Sequence, residues 1–257
     1  MTEGRFDTFF KDPIYRLYKN LLYNYCLRRE MIRGLLRGKK LGRILEAGCG
    51  ISPMLDADPS VIQIDLSWKG LGLIREGSGK NSLVRQVACD ATELPFANGV
   101  FDGVVCSEVI EHIKNDGRVL EEIHRVLRGK GELFLTCPVH QKFFGFDDGY
   151  VGHYRRYEVP NLKMRLEALG FTEFHVRPLL GRLEKQIMER VTRLFASFKR
   201  GDKKSRPLEV ALRLLAWIFF PFYVLLNQAV AFVVRRQARS ATLDQAVTVC
   251  LQCRKPA

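Results

Sequence analysis

A change of period at Gly42 constrains this chain more than any other feature. From there, short apolar runs recur: GRILEAG (42–48), VIQID (61–65), SLVRQVACD (82–90), FDGVVCS (101–107), GELFLTCP (131–138) and FTEFHVRPL (171–179). Helical patterns lie between several of them, among them WKGLGLIREG and RVLEEIHRVLRG. The second repeats apolar residues at Val119, Leu120, Ile123, Val126 and Leu127. Strands that alternate with helices predict an α/β fold of βαβ units around a parallel sheet. The alternation stops after Leu179 and resumes only with AVTVCLQCRK (246–255), rich in β-branched and apolar residues. That segment is read as a final strand returning to the same sheet, so the region before it is an insertion within the fold. Cys250 and Cys253, an odd number of residues apart on a strand, are expected on opposite faces of the sheet.

Before Gly42, Tyr15, Leu17, Tyr18, Leu21, Leu22, Tyr25 and Cys26 recur at helical spacing, with Arg and Lys on the other face. The expected organisation is a helical segment over 1–41, a core over 42–180, a basic and apolar insertion over 181–243, and the returning strand over 244–257. Charge follows these divisions. The chain's net +13 resolves into +7 for residues 1–43, −4 for 44–180, +9 for 181–240 and +1 beyond. A mildly acidic core between basic flanks is unlike a nucleic-acid enzyme whose catalytic domain is itself basic. The first residues carry Glu3 and Asp7 and no apolar run of signal-peptide length, and the 7 Cys follow no framework spacing. Reduced thiols and a cytoplasmic setting are expected.

The chemistry concentrates at Glu46-Ala47-Gly48-Cys49-Gly50, directly after a strand, where glycines let the backbone bend sharply and approach a ligand. A dinucleotide fingerprint would need a third glycine where Pro53 stands. No Gly-x-x-x-x-Gly-Lys-Ser/Thr loop is present to hold a triphosphate. Acidic residues end the next two strands: Asp65, placed to accept from ribose hydroxyls, and Asp90, placed to accept from an adenine amine. Taken singly, either carboxylate is more often a turn or helix-cap residue. Together at successive strand ends they point to a nucleoside in the crevice outside the sheet.

These residues resemble the class I S-adenosylmethionine-dependent methyltransferases, from about Arg43 to Leu179. The run ELPF, then FD, then EVIEH is similar to the branch containing ubiquinone- and menaquinone-type methyltransferases. The resemblance implies a Rossmann-like seven-stranded sheet whose last strand is antiparallel, with an N-terminal helix and a helical hydrophobic insertion added. It implies that Glu46, Gly48, Cys49 and Gly50 hold the methionine end of S-adenosylmethionine. Asp65 with Leu66 would hold the ribose side, Asp90 with Ala91 the adenine, and Ser107, Glu108 and Val109 would border the sulfonium. Ser52 departs from the pattern, since many members carry a third glycine there. His112 and His153 are the candidate general bases, and Arg155, Arg156 and Tyr157 the candidate acceptor contacts. In related quinone O-methyltransferases a Glu-x-x-Glu-His run can bind a divalent metal, so Glu108, Glu111 and His112 are a candidate Mg²⁺ set. Cys137-Pro138 is read as a core strand end, not as the nucleophile of cytosine methylation. The asparagine- or aspartate-Pro-Pro-aromatic signature of nucleic-acid amino methylation is absent after the fourth strand.

Within the insertion, KQIMERVTRLFASFKR (185–200) places Ile187, Met188, Val191, Leu194, Phe195 and Phe198 on one face and basic residues mostly elsewhere. LLAWIFFPFYVLL (214–226) follows, too short for a span of about twenty residues. It is read as a shallow or re-entrant hydrophobic hairpin stopped by Asn227 and Gln228. The resulting expectation is a peripheral membrane methyltransferase acting on a lipophilic acceptor, with O-methylation ahead of C-methylation. An RNA methyltransferase and a non-catalytic cofactor-binding membrane adaptor are the alternatives.

Overall fold

The computed structural model describes residues 21–77, 85–200 and 206–257. One sheet holds β1 (Ile44–Ala47), β2 (Val61–Asp65), β3 (Arg85–Ala88), β4 (Phe101–Ser107), β5 (Leu127–Pro138), β6 (Thr172–Gly181) and β7 (Ala246–Arg254). Their order is β3-β2-β1-β4-β5-β7-β6. β1 pairs in parallel with both β2 and β4, while β7 runs antiparallel between β5 and β6. The chain therefore reverses its direction of travel across the sheet at β1, which opens a crevice outside the carboxyl ends of β1 and β4.

The central strands are apolar on both faces because helices cover both. α1 (Tyr23–Leu36) lies on one face, where its fully buried Ile32 meets Met54, Leu55, Val61, Val105, Phe134 and Cys250. On the other face, α3 (Asp116–Val126) sets Val119, Leu120, Ile123 and Val126 against Leu45, Val104 and Leu135. Between these elements in sequence runs α2 (Trp68–Gly77). Cys253 joins the α3 side and Cys250 the α1 side, so the odd separation does divide them between the faces. Cys137 is fully buried, and burial pushes its thiol well above the ordinary range, which leaves it inert at neutral pH.

α4 (Phe146–Val151) and α5 (Val159–Ala168) lie between β5 and β6. The insertion then forms α6 (Arg182–Arg200) and α7 (Arg206–Ser240). The expected hairpin is replaced by one continuous helix in α7, with Pro221 inside it. Asn227 does not stop the helix because its side chain has partners on the protein. It accepts from the Tyr23 N–H at 2.8 Å and donates to the Leu21 carbonyl at 2.5 Å. Val234 is fully buried in a cluster with Tyr23, Leu27, Leu179, Leu180 and Val247, so α7 docks on both α1 and the sheet. Tyr15, Leu17 and Tyr18, and the side chains at 194, 195 and 197–219, lie outside the described residues.

Candidate active site

The turn after β1 is shaped by backbone conformation and one buried acid. Gly48 (φ 71°) and Gly50 (φ 57°) occupy the left-handed region. A Cβ on Gly48 would collide with the Val109 side chain, so the close approach of this turn to the segment after β4 requires glycine. A Cβ on Gly50 would meet nothing within 4 Å, so that side of the turn is open. Glu46 points back beneath the turn, accepting the Met54 N–H at 2.5 Å and the Leu55 N–H at 3.2 Å. Its role here is to fold the loop, and burial pushes its carboxyl up to about 7 despite those hydrogen bonds. Cys49 is buried beside it, and Ser52, where a third glycine was expected, is buried too.

Asp65 stands at the tip of β2 and joins two turns. It accepts the Gly50 N–H and the Ser67 N–H, each at 2.8 Å. Leu66 and Trp68 beside it are 67% and 55% exposed, an apolar surface at the mouth of the crevice. Asp90 makes a local turn, accepting the Thr92 N–H and hydroxyl, with Ala91 partly buried next to it. A carboxylate, an exposed apolar pair and an open glycine turn around one crevice fit a nucleoside with a small charged tail.

Across the crevice, Ser107 bonds Thr136 at 2.8 Å, and Thr136 donates to Glu108 at 3.1 Å. Glu108 has φ 53°, a left-handed conformation rare for a side-chain-bearing residue and concentrated at functional sites. Its carboxylate lies 3.7 Å from the guanidinium of Arg28, a buried residue of α1. Glu111 is fully buried, and neither of its oxygens has a hydrogen-bond partner among the described residues. Burial first, and then the charge of Glu108, push its carboxyl well above the ordinary range.

His153 is brought to the same place from the segment after β5. Its Nδ1 is 2.8 Å from Asp148 and its Nε2 3.9 Å from Glu111, and its ring meets that of His112 edge-on at 4.5 Å. The two candidate bases, 41 positions apart in the chain, are thus adjacent. The Mg²⁺ set fares otherwise. Glu108 is engaged by Thr136 and Arg28, and the residues whose ligand atoms gather within 4.8 Å are Glu111, His112 and His153. Two imidazole nitrogens and one carboxylate do not suit a hard cation that takes oxygen ligands, so the donor set does not fit Mg²⁺.

The three expected acceptor contacts turn into the fold. Arg155 donates to Asp116 and to the Lys114 carbonyl, and the Tyr157 hydroxyl donates to Asp116. Arg156 is buried, donating to both oxygens of Asp148 and to the Val247 carbonyl. The reason is the acid supply nearby: Asp116, Asp147 and Asp148 are all buried and need cationic partners. Lys185 on α6 is also buried, bridging Asp147 and Asp148. The sequence reading missed Arg28, Asp148, Glu184 and Lys185. Of these only the acidic pair Asp147-Asp148 ahead of Arg155-Arg156 left a local trace.

Residues 45–135 match the methyltransferase domain family model. The core is a class I S-adenosylmethionine-dependent methyltransferase domain. This chain is 32% identical over 118 residues to a demethylmenaquinone methyltransferase of Renibacterium salmoninarum, covering 44% of this chain and 48% of that one. It is 32% identical over 100 residues to a malonyl-[acyl-carrier protein] O-methyltransferase of Legionella pneumophila, covering 37% and 35%. The chain spans between 35% and 53% of the length of the first curated relatives it matches. In fold it is similar to an S-adenosylmethionine-dependent methyltransferase of Thermotoga maritima, with a TM-score of 0.59, 15% identity and 93% of each chain covered.

Proposed function

We propose that this chain transfers a methyl group from S-adenosylmethionine to a hydroxyl of a lipophilic small molecule drawn from a membrane surface. The observation that carries the reading is the Asp148–His153 pair beside Glu111 and His112 on the acceptor side of the crevice. S-adenosylmethionine supplies, when bound, an electrophilic methyl on a sulfonium. The Gly48–Gly50 turn and Asp65 would hold its polar ends, and Leu66 with Trp68 its base.

The chain's own contribution is placement and proton removal. In-line attack needs the acceptor oxygen at about 3 Å from the methyl carbon. A hydroxyl must also lose its proton, which calls for a base within hydrogen-bond reach. His153 donates from Nδ1 to Asp148, which fixes the tautomer and leaves the Nε2 lone pair on the side of Glu111. Burial alone would raise Asp148, but hydrogen bonds from His153 and Arg156 hold it well below the usual carboxylate range. It therefore stays ionised and stabilises the imidazolium that forms. Burial, and then the charge of Glu108, push the Glu111 carboxyl well above the ordinary range, which favours its uncharged form beside the acceptor. The relatives named as methylating a demethylmenaquinone and a malonyl-acyl carrier protein support a small-molecule or acyl acceptor. The basic, apolar insertion supports a membrane source for it.

Incubating the protein with methyl-labelled cofactor and a lipid extract, then reading the products by mass spectrometry, tests the reading. Label is expected in a lipophilic product. His153→Ala should lower turnover by about 100-fold or more while calorimetric cofactor affinity stays unchanged. Label in RNA instead, or a normal rate in His153→Ala, would reject it.

A further inference from the structure

We infer that the C-terminal half of α7 is a docking surface for an anionic phospholipid bilayer, with Arg236 and Arg239 gripping lipid phosphate. The inference extends the membrane part of the reading above and assigns the contact to particular residues. Phe222, Leu225, Leu226, Phe232 and Val233 are between 50% and 66% exposed, an unusual run of large apolar side chains in water. At 100° per residue they fall, together with Arg236 and Arg239, within one sector about 140° wide. Arg236 and Arg239 are also exposed, one and two turns beyond the apolar stripe.

The opposite face of the helix is committed to the protein, so the stripe is not an unpacked core. Asn227 bonds the backbone at Leu21 and Tyr23, and Val234 is fully buried. Arg235 pairs with Glu30 of α1, and Gln237 accepts the Leu183 N–H at 3.3 Å. These ties hold the helix along the body of the molecule with its apolar side outward. Among the described residues no helix is long and apolar enough to cross a membrane. The contacts of Asn227, Val234 and Arg235 hold the C-terminal half of α7 against the protein, so that half would lie along a bilayer.

The end of the stripe is where the ligand chemistry is specified. Phe232, Arg235, Arg236, Arg239 and Ser240 line an open surface hollow of about 430 Å³. Guanidinium groups bind phosphate oxygens through paired N–H donors, and a phenyl ring beside them suits the start of an acyl chain. An RNA would be met by cations without an apolar stripe. An apolar protein partner would leave Arg236 and Arg239 without counter-charge. A bilayer with phosphate at its surface and hydrocarbon beneath satisfies both ends of the helix face at once.

Vesicle co-sedimentation of the full chain tests this, with phosphatidylcholine alone and with phosphatidylcholine mixed with phosphatidylglycerol. The wild type should favour the mixed vesicles, and added salt should weaken that preference. R236E/R239E should lose about thirtyfold or more of its affinity for the mixed vesicles, each arginine near an anionic surface being worth about fivefold. F222S/L225S should bind both vesicle types more weakly, and both variants should keep wild-type cofactor affinity, which shows that they are folded. Unchanged binding by R236E/R239E would overturn the phosphate grip while leaving the membrane reading standing. A wild type that binds neither vesicle would overturn both, and methylation of a water-soluble acceptor would remove the membrane reading by itself. Concentration-dependent dimers abolished by F222S/L225S, without vesicle binding, would assign the stripe to a second copy of the chain.

Discussion

The two sides of the crevice are built from different materials. On the cofactor side, partners lie close together in the sequence and shape is set by the backbone: Glu46 holds Met54 and Leu55, Asp65 holds Gly50 and Ser67, and Asp90 holds Thr92. On the acceptor side, buried or partly buried ionisable groups arrive from distant segments: Arg28 from α1, Glu108 and Glu111 after β4, Asp148 and Arg156 around α4, and Glu184 and Lys185 from α6. The first construction specifies one ligand geometry and tolerates little change. The second depends on charge balance among helices added to the core, so acceptor preference can diverge without disturbing the turn proposed to hold the cofactor.

The largest effect should come from the acceptor side. Arg156→Ala removes the donors to both oxygens of Asp148 and to the Val247 carbonyl of β7. Of its side-chain donors Asp148 then keeps only Lys185 and His153, and the Val247 carbonyl loses its side-chain donor, a loss of about 3 kcal/mol at the low end of the cost of breaking a buried pair. Denaturant unfolding should show that loss, with cofactor affinity of the folded fraction unchanged. A cost below about 1 kcal/mol, the range of exposed pairs, would return Arg156 to the acceptor.

Gly48→Ala attacks the other construction. The added Cβ meets Val109 in a backbone conformation that only glycine adopts freely, so cofactor affinity should fall by about 2–3 kcal/mol from strain and displacement. Adding Val109→Ala should recover part of this, because it relieves the collision and leaves the φ penalty. Calorimetry of the single and double variants separates the two. Full-strength binding by Gly48→Ala would mean that the turn is not where the cofactor sits.

How legible each side is in the sequence follows from the same contrast. Strands β1, β2, β4 and β7 and the helix over the α3 pattern are local in origin, as are the two glycines and the acids at 65 and 90, so period and spacing reveal them. β5 begins at Leu127, earlier than the run at 131, because Leu127 pairs with Phe101 while the polar residues between are exposed. The charge network had no comparable signal. Arg28 and Glu184 are separated by 156 positions, and nothing near either reveals that folding buries both. The same blindness made Arg155, Arg156 and Tyr157 look like free contacts when Asp116 and Asp148 were waiting for them. The stop at Asn227 was misread for a related reason: a polar residue in an apolar run looks like an end until the backbone of residues 21–23 is seen to need it.

The smallest predicted effect asks whether the acceptor-side network is tuned by protonation. Burial pushes the Glu184 carboxyl up to about 7, in the company of Asn24, Arg156, Glu108 and Arg28. The folded chain then holds a proton that the unfolded chain has already released in the neutral range. Stability therefore decreases as pH rises from the ordinary carboxylate range through 7, and the decrease is complete above it. Between pH 6 and pH 8 this group contributes about 1 kcal/mol of that decrease. Glu46 acts in the same direction on the cofactor side, so part of the slope belongs to it. Glu184→Gln keeps an amide oxygen to accept from Asn24 and removes the titration. Its unfolding free energy should fall by about 1 kcal/mol less than the parent's over that interval. A slope identical to the parent's would remove Glu184 as the titrating carboxyl and leave Glu46 and Glu111, the other two buried carboxyls pushed upward.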